Sequence, residues 1–163
     1  EGFGKLSHNF HQVIREHICR GEWKNKRRPV LINNWEGTYF NFTGDKLVSI
    51  AKDAAELGVE LFVMDDGWFG KRDDDRSGLG DWFPNEEKLG CSLKELGDRI
   101  VGLGMKFGIW FEPECISEDS VPRRSFHDWC GPNAGGYVLD ARDWPEQHIL
   151  HLVETVQYTK ENG

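Results

Sequence analysis

Apolar positions along this chain form short continuous runs that alternate with helical stripes. Phe10, Val13, Ile14 and Ile18, with His17 beside them, recur at helical spacing and predict a short amphipathic helix within an approach segment, residues 1–28. Pro29 then opens Val30-Leu31-Ile32, which ends in Asn33-Asn34-Trp35. An unbroken aliphatic run behind a proline predicts a buried strand, apolar on both faces. Leu47, Ile50, Ala51, Ala54 and Leu57 share one stripe of a helix predicted from Gly44 to Leu57, with Gly58 as its stop. Leu61-Phe62-Val63-Met64 predicts a second buried strand, which releases Asp65-Asp66-Gly67-Trp68 into a polar loop reaching Asn85. A second helix is predicted from Ser92 to Leu103, with Ser92 as N-cap, Glu95 three residues on and Gly104 as stop. Phe107 to Phe111 predicts a third strand, ending in Glu112-Pro113-Glu114. Tyr137 to Asp140 predicts a short fourth strand, and Pro145 opens a helix with Ile149, Leu152, Val153 and Val156 on its apolar face.

Strand-helix alternation with apolar strands is the pattern of parallel βα units. No G-x-G-x-x-G follows the first strand, which disfavours a dinucleotide fold. Each strand instead releases polar or aromatic residues at its C-terminal end, where barrel enzymes build their sites. A full eightfold barrel takes about 250 residues, and this chain has 163. The predicted fold class is therefore α/β, a partial TIM (β/α)8 barrel of about the first half, with a short helical approach segment. Residues 1–28 would lead in from a preceding domain, and residues 29–163 would be the N-terminal half of the barrel domain.

Composition narrows the function. Hydrophobic content of 38% and charged content of 29% are those of a globular protein. A net charge of −8 makes nucleic acid and anionic membranes poor partners, because the chain repels phosphate. The basic run Lys24, Lys26, Arg27, Arg28 is short and reads as a solvated face. No apolar run is long enough to span a bilayer, and Glu1 opens no signal-peptide pattern. Cys19, Cys91, Cys115 and Cys130 include no C-x-x-C pair, so free thiols and a cytoplasmic, reducing compartment are expected. His148 and His151 sit three apart without an acidic partner, so no metal is expected there. Asp73, Asp75, Ser77 and Gly78 match the first half of a calcium loop, but its twelfth position is Pro84, where a bidentate Glu is needed. Seven Trp and ten Phe are an excess of large aromatics, suited to core packing and also to stacking on the C–H faces of sugars.

Asp65 and Asp66 are the sharpest chemical feature. Adjacent residues of a regular strand point to opposite faces, so the two can share a site only where the pleat ends, as Gly67 suggests. Paired in this way they suit gripping neighbouring hydroxyls of one sugar. They do not suit an acid and a nucleophile flanking one bond, which need about 5 Å or more between carboxyl groups. A loop-start cap or a metal-ligand pair is the structural alternative. Glu112 and Glu114 fit either acid/base work or hydrogen bonding to loops. Arg142 could bridge site carboxylates or form a surface pair.

The stretches RPVLINNWEGTYFNF, ELFVMDDGWFGKRDDD, LGDWFPNEEKL and KFGIWFEPE occur in order. Together they resemble bacterial α-galactosidases of glycoside hydrolase family 36, from about Phe10 onward. The resemblance implies that Trp35 and Trp110 wall a galactose pocket, that Asp65 and Asp66 bind hydroxyls of the terminal galactose including the axial O4, and that Arg142 orients the carboxylates. It implies double displacement with retention on α-galactosides such as melibiose and raffinose, without metal or organic cofactor, in a homo-oligomeric parent. The family's nucleophile, in a Lys-Trp-Asp-Met-Asn-Arg-like strand, is expected shortly after Gly163, and its acid/base later still. The chain is thus expected to carry substrate-binding residues and no catalytic carboxylate, and to be inactive alone. A raffinose-synthase-like transferase, an α-N-acetylgalactosaminidase and a catalytically dead galactose-binding module are the rivals.

Overall fold

The computed structural model of the chain describes residues 2–113, 115–120, 130–133 and 136–139. Its centre is a parallel sheet of β1 (Leu31–Asn33), β2 (Leu61–Met64) and β3 (Lys106–Ile109), in that order. Leu31 pairs with Leu61, which pairs in turn with Lys106. Two helices make the crossovers. The first is α3 (Gly44–Glu56), preceded by a single turn, α2 (Trp35–Thr38). The second is α5 (Leu93–Val101), preceded by a short α4 (Glu86–Leu89).

Local chemistry sets the helix ends. Thr43 caps α3, its hydroxyl accepting from the Lys46 N–H at 3.3 Å. Gly58, at φ +83, closes the helix by donating to the Ala55 carbonyl at 2.9 Å. Ser92 caps α5 by accepting from the Glu95 N–H at 3.1 Å, as predicted. The buried stripes Leu47-Ala51-Ala54 and Leu93-Leu96-Ile100 meet Phe62 and Met64 of β2 in one core cluster. Full burial of each Leu or Ile stabilises the fold by about 1.5–3 kcal/mol. An exposed pair, Arg99 to Asp45 at 2.7 Å, links α5 to α3.

The structure departs from expectation in four places. Val30 and Leu31 are each 52% exposed, so β1 is not buried on both faces. It is the outermost strand of the sheet, and among the described residues its outer edge has no neighbour strand. The N-terminal helix starts earlier than its stripe suggested, as α1 (Phe3–Val13), and runs on as a π-turn, Ile14–Ile18. Its apolar residues Phe3, Leu6, Phe10, Val13, Ile14 and Ile18 all face solvent. Strand Gly136–Leu139 exists but is not a fourth parallel strand. It is β6, the middle of an antiparallel sheet with β4 (Cys115–Ile116) and β5 (Cys130–Asn133). Two residues separate β5 from β6, and only antiparallel pairing can be closed by so short a link. The short helices α2 and α4 fall between the predicted elements.

The segment before β1 is fastened to the sheet's N-terminal end. The Lys106 ammonium lies 4.3 Å from the Trp23 ring centroid, and Arg27 pairs with Glu60 at 2.6 Å. Glu60 also accepts from the Val30 N–H at 2.7 Å. Arg142, His148, His151 and the helix expected from Pro145 lie outside the described residues. Among the described residues no helix is long and apolar enough to cross a membrane.

Candidate active site

The C-terminal ends of the three parallel strands deliver Asn33-Asn34, Asp65-Asp66 and Trp110 to one edge of the sheet. Register requires it: Asn33 lies opposite Val63, and Met64 opposite Ile109. The Trp110 N–H donates to the Met64 carbonyl at 2.9 Å, which carries the alignment one residue past β3.

Asparagines fix the first carboxylate. Asn34 is fully buried; its Oδ1 accepts from the Asp65 N–H at 2.9 Å and its Nδ2 donates to Thr38 Oγ1 at 2.8 Å. Asn33 Nδ2 donates to Asp65 Oδ2 at 2.7 Å, while Asn33 Oδ1 accepts from the Trp35 N–H at 3.2 Å. One side chain therefore ties together two residues expected in the pocket, Trp35 and Asp65. Asp65 Oδ1 accepts from the Asp66 N–H at 2.8 Å, a bond available only because the strand has ended at Met64. Gly67 then turns the chain at φ +100. A Cβ there would stand 3.0 Å from Phe40 Cδ1 and 3.3 Å from the Arg72 carbonyl.

Asp66 sits differently from its neighbour. It is 6% exposed and is gripped by Arg72, itself 5% exposed. Arg72 Nε donates to both carboxylate oxygens, at 3.0 and 3.1 Å, and Nη2 donates to Oδ2 at 2.8 Å. Arg72 Nη1 donates to the Ser77 carbonyl at 3.0 Å, and the guanidinium lies 5.5 Å from the Phe40 centroid. Such a fork is among the strongest pairings open to a carboxylate. It still leaves lone pairs, since a carboxylate offers about four acceptor positions.

Two half-buried indoles complete the edge. Trp35 meets Phe40 and Tyr39 edge-on, at centroid distances of 5.1 and 5.3 Å. Trp110 stands beside a packed aromatic group, 6.4 Å from Trp82, and its carbonyl accepts from Trp68 Nε1 at 3.0 Å. Trp68 and Trp82 are core residues, with Phe69 and Phe111 against them.

Sequence reading placed Trp35, Asp65, Asp66 and Trp110 together, and the sheet delivers all four to one edge; Arg142 and Glu114 fall outside the described residues. Asn33, Asn34 and Arg72 were not singled out. The asparagines had a visible signal, an Asn-Asn at a strand end beside the carboxylates. Arg72 had none, because it lies six residues on in an irregular loop. Two carboxylates of that loop find partners nearby. Asp73 pairs with Lys88 at 2.9 Å. Asp74 accepts from the Arg76 N–H at 2.8 Å and from Ser77 Oγ, and the backbone N–H foremost holds its carboxyl below the ordinary aspartate value. Glu112 is half-buried, and its carbonyl accepts from the Cys115 N–H at 3.3 Å. Among the described residues no group of three or more His, Cys, Asp and Glu could hold a metal ion, and Cys19 and Cys91 are free thiols.

The chain is 58% identical over 129 residues to the bifunctional α-galactosidase/sucrose kinase AgaSK of Mediterraneibacter gnavus, covering 79% of this chain and 14% of that protein. Its structure matches the GH36 α-galactosidase AgaB of Geobacillus stearothermophilus at a TM-score of 0.87 with 43% identity, covering 100% of this chain and 23% of that one. A variant of AgaA from the same organism, solved in complex with raffinose, matches at a TM-score of 0.85 with 41% identity, over 98% of this chain and 23% of that one. The chain thus spans less than a quarter of the length of each. The family model described as Melibiase matches residues 1–155, and with that coverage the chain belongs to the melibiase family.

Proposed function

We propose that the complete protein is a retaining α-galactosidase, and that this chain supplies the galactose-binding part of its site from the first half of a (β/α)8 barrel. The carrying observation is the placement of Asp65 and Asp66 between Trp35 and Trp110 at the C-terminal edge of a parallel sheet. Two neighbouring carboxylates accept hydrogen bonds from neighbouring hydroxyls, and the indoles offer flat apolar faces to the ring's C–H groups. Neither carboxylate is placed to flank a glycosidic bond from the opposite side. The nucleophile and the acid/base of double displacement are accordingly proposed to lie beyond residue 163. Terminal α-galactosides such as melibiose and raffinose are the proposed substrates, in line with the raffinose complex of the AgaA variant. Residues 1–28 are proposed as the approach from a preceding domain. The solvent-facing apolar stripe of α1 supports this, since such a stripe is stable when covered. The free thiols of Cys19 and Cys91 support a reducing compartment.

The test is steady-state hydrolysis of p-nitrophenyl α-galactoside by the complete protein and its Asp65→Asn and Asp66→Asn variants. A charge-assisted hydrogen bond contributes about 1.5–3 kcal/mol, so kcat/KM should fall roughly tenfold to a few hundredfold in each. Asp75→Asn, at an exposed loop position, is the control. Asp73 is unsuitable for that purpose because it pairs with Lys88. Two variants indistinguishable from the control would refute the sugar-binding role, and absence of turnover by the complete protein would refute the activity.

A further inference from the structure

Asp65 and Asp66 are held by unlike means. Asp65 is set by the strand ends themselves, through Asn33 and the buried Asn34. Asp66 is set by a side chain from outside the sheet, Arg72, through three hydrogen bonds between two buried groups. The same guanidinium reaches two further parts of the edge. Its Nη1 donates to the Ser77 carbonyl, which ties it to its own loop. Its central carbon lies 5.5 Å over the Phe40 ring centroid, and Phe40 in turn packs edge-on against Trp35.

We propose that Arg72 is a positioning residue for galactoside binding, acting through the Asp66 carboxylate. This rests on the proposed role of Asp66 in gripping a sugar hydroxyl. The fork fixes the rotation of the carboxylate plane, so that its remaining lone pairs point in one direction. A freely rotating carboxylate would reach the same hydroxyl only part of the time. A lysine at position 72 would keep the charge but lose the planar fork and the face against Phe40, because an ammonium is a point donor.

The experiment is a double-mutant cycle in the complete protein, with kcat and KM measured for p-nitrophenyl α-galactoside. Its members are Arg72→Lys, Arg72→Met, Asp66→Asn and the two doubles with Asp66→Asn, each with a thermal melt. Arg72→Lys should lower kcat/KM about tenfold, and Arg72→Met about a hundredfold. Either change made on top of Asp66→Asn should cost less than about threefold further, because the group it acts through is already altered. Should Arg72→Met fail to fold, the lysine arm still decides. The Arg72→Met/Asp66→Asn double, which leaves no buried unpaired charge, supplies a second folded corner. A purely structural role would instead lower the melting temperature while the kinetic factors multiplied unchanged in both backgrounds. That result, or an Arg72→Lys enzyme with unaltered kinetics beside a crippled Asp66→Asn, overturns the role of Arg72 and leaves the sugar-binding reading intact. A harmless Asp66→Asn overturns both.

Discussion

Trp68 and Trp82 allow a stability comparison in which packing largely cancels. Both indoles are buried, at 0% and 1% exposure, in the same aromatic group. Replacing either by Phe removes the same atoms from the same surroundings. Their Nε1–H groups differ. Trp68 donates to the Trp110 carbonyl at 3.0 Å, whereas Trp82 Nε1 is the buried side-chain polar atom left without a hydrogen bond among the described residues. Trp68→Phe therefore loses a bond contributing about 1 kcal/mol net and leaves a carbonyl short of a partner. Trp82→Phe removes an orphaned donor whose burial costs about 1–3 kcal/mol. The first variant should be less stable than the second by about 2–4 kcal/mol. Urea titration of both variants of the complete protein, followed by far-UV circular dichroism, measures the difference where unfolding is two-state. Trp68→Phe also unpins the backbone of Trp110, so KM for the galactoside should rise in that variant. Equal stability of the two, or a Trp82→Phe that is the weaker, would refute the assignment of the orphan.

Two further outcomes follow from the geometry. Gly67→Ala should destabilise by about 1–3 kcal/mol and lower kcat/KM together, since φ +100 strains any L side chain and the added Cβ meets Phe40 at 3.0 Å; melting and kinetics in one preparation check it. Glu60, held below the ordinary glutamate value first by Arg27 and then by the Val30 N–H, should stabilise the start of β1 above about pH 4.3 and lose that contribution as pH falls through its lowered value. The protection factor of the Val30 amide, its exchange corrected for the intrinsic rate at each pH, should fall over that acid window, and a constant protection factor would contradict the link.

The sequence carried the elements whose cause is local. Ser92 and Gly58 end helices through their own backbone chemistry, and Leu61 to Met64 needs only its apolar run to be a strand. Placement of Asp65, Asp66, Trp35 and Trp110 at one edge was legible as well, because parallel strands align their C-terminal ends. The misread features depend on neighbours that a window of sequence does not contain. Val30 and Leu31 look like core until the strand order puts β1 at the edge. Gly136–Leu139 has the composition of a barrel strand, yet it pairs antiparallel with β4 as well as β5, and β4 lies far behind it in the chain. Arg72 was opaque for a different reason. Its loop is rich in charges of both signs, and nothing local says which cation turns inward.

That inward turn bears on why the pair exists. Burying a carboxylate and a guanidinium costs several kcal/mol in desolvation for each, which their attraction offsets only with near-complete hydrogen bonding. A well-packed apolar pair in the same space is often as stable or more so. Stability alone is therefore a weak reason for Asp66 and Arg72 to be buried together. The site supplies a stronger one, since a carboxylate meant to select a hydroxyl must be dry, fixed in rotation and still short of full satisfaction. Arg72 meets the first two conditions. Its fork, taken up on both Asp66 oxygens and on the Ser77 carbonyl, leaves the third for the substrate. An apolar replacement of both residues should accordingly fold at least as well as the parent and bind galactosides poorly. A double variant, Asp66→Leu with Arg72→Met, measured for melting temperature and for KM, would show the two properties moving apart. If stability collapsed along with binding, the pair would be structural after all.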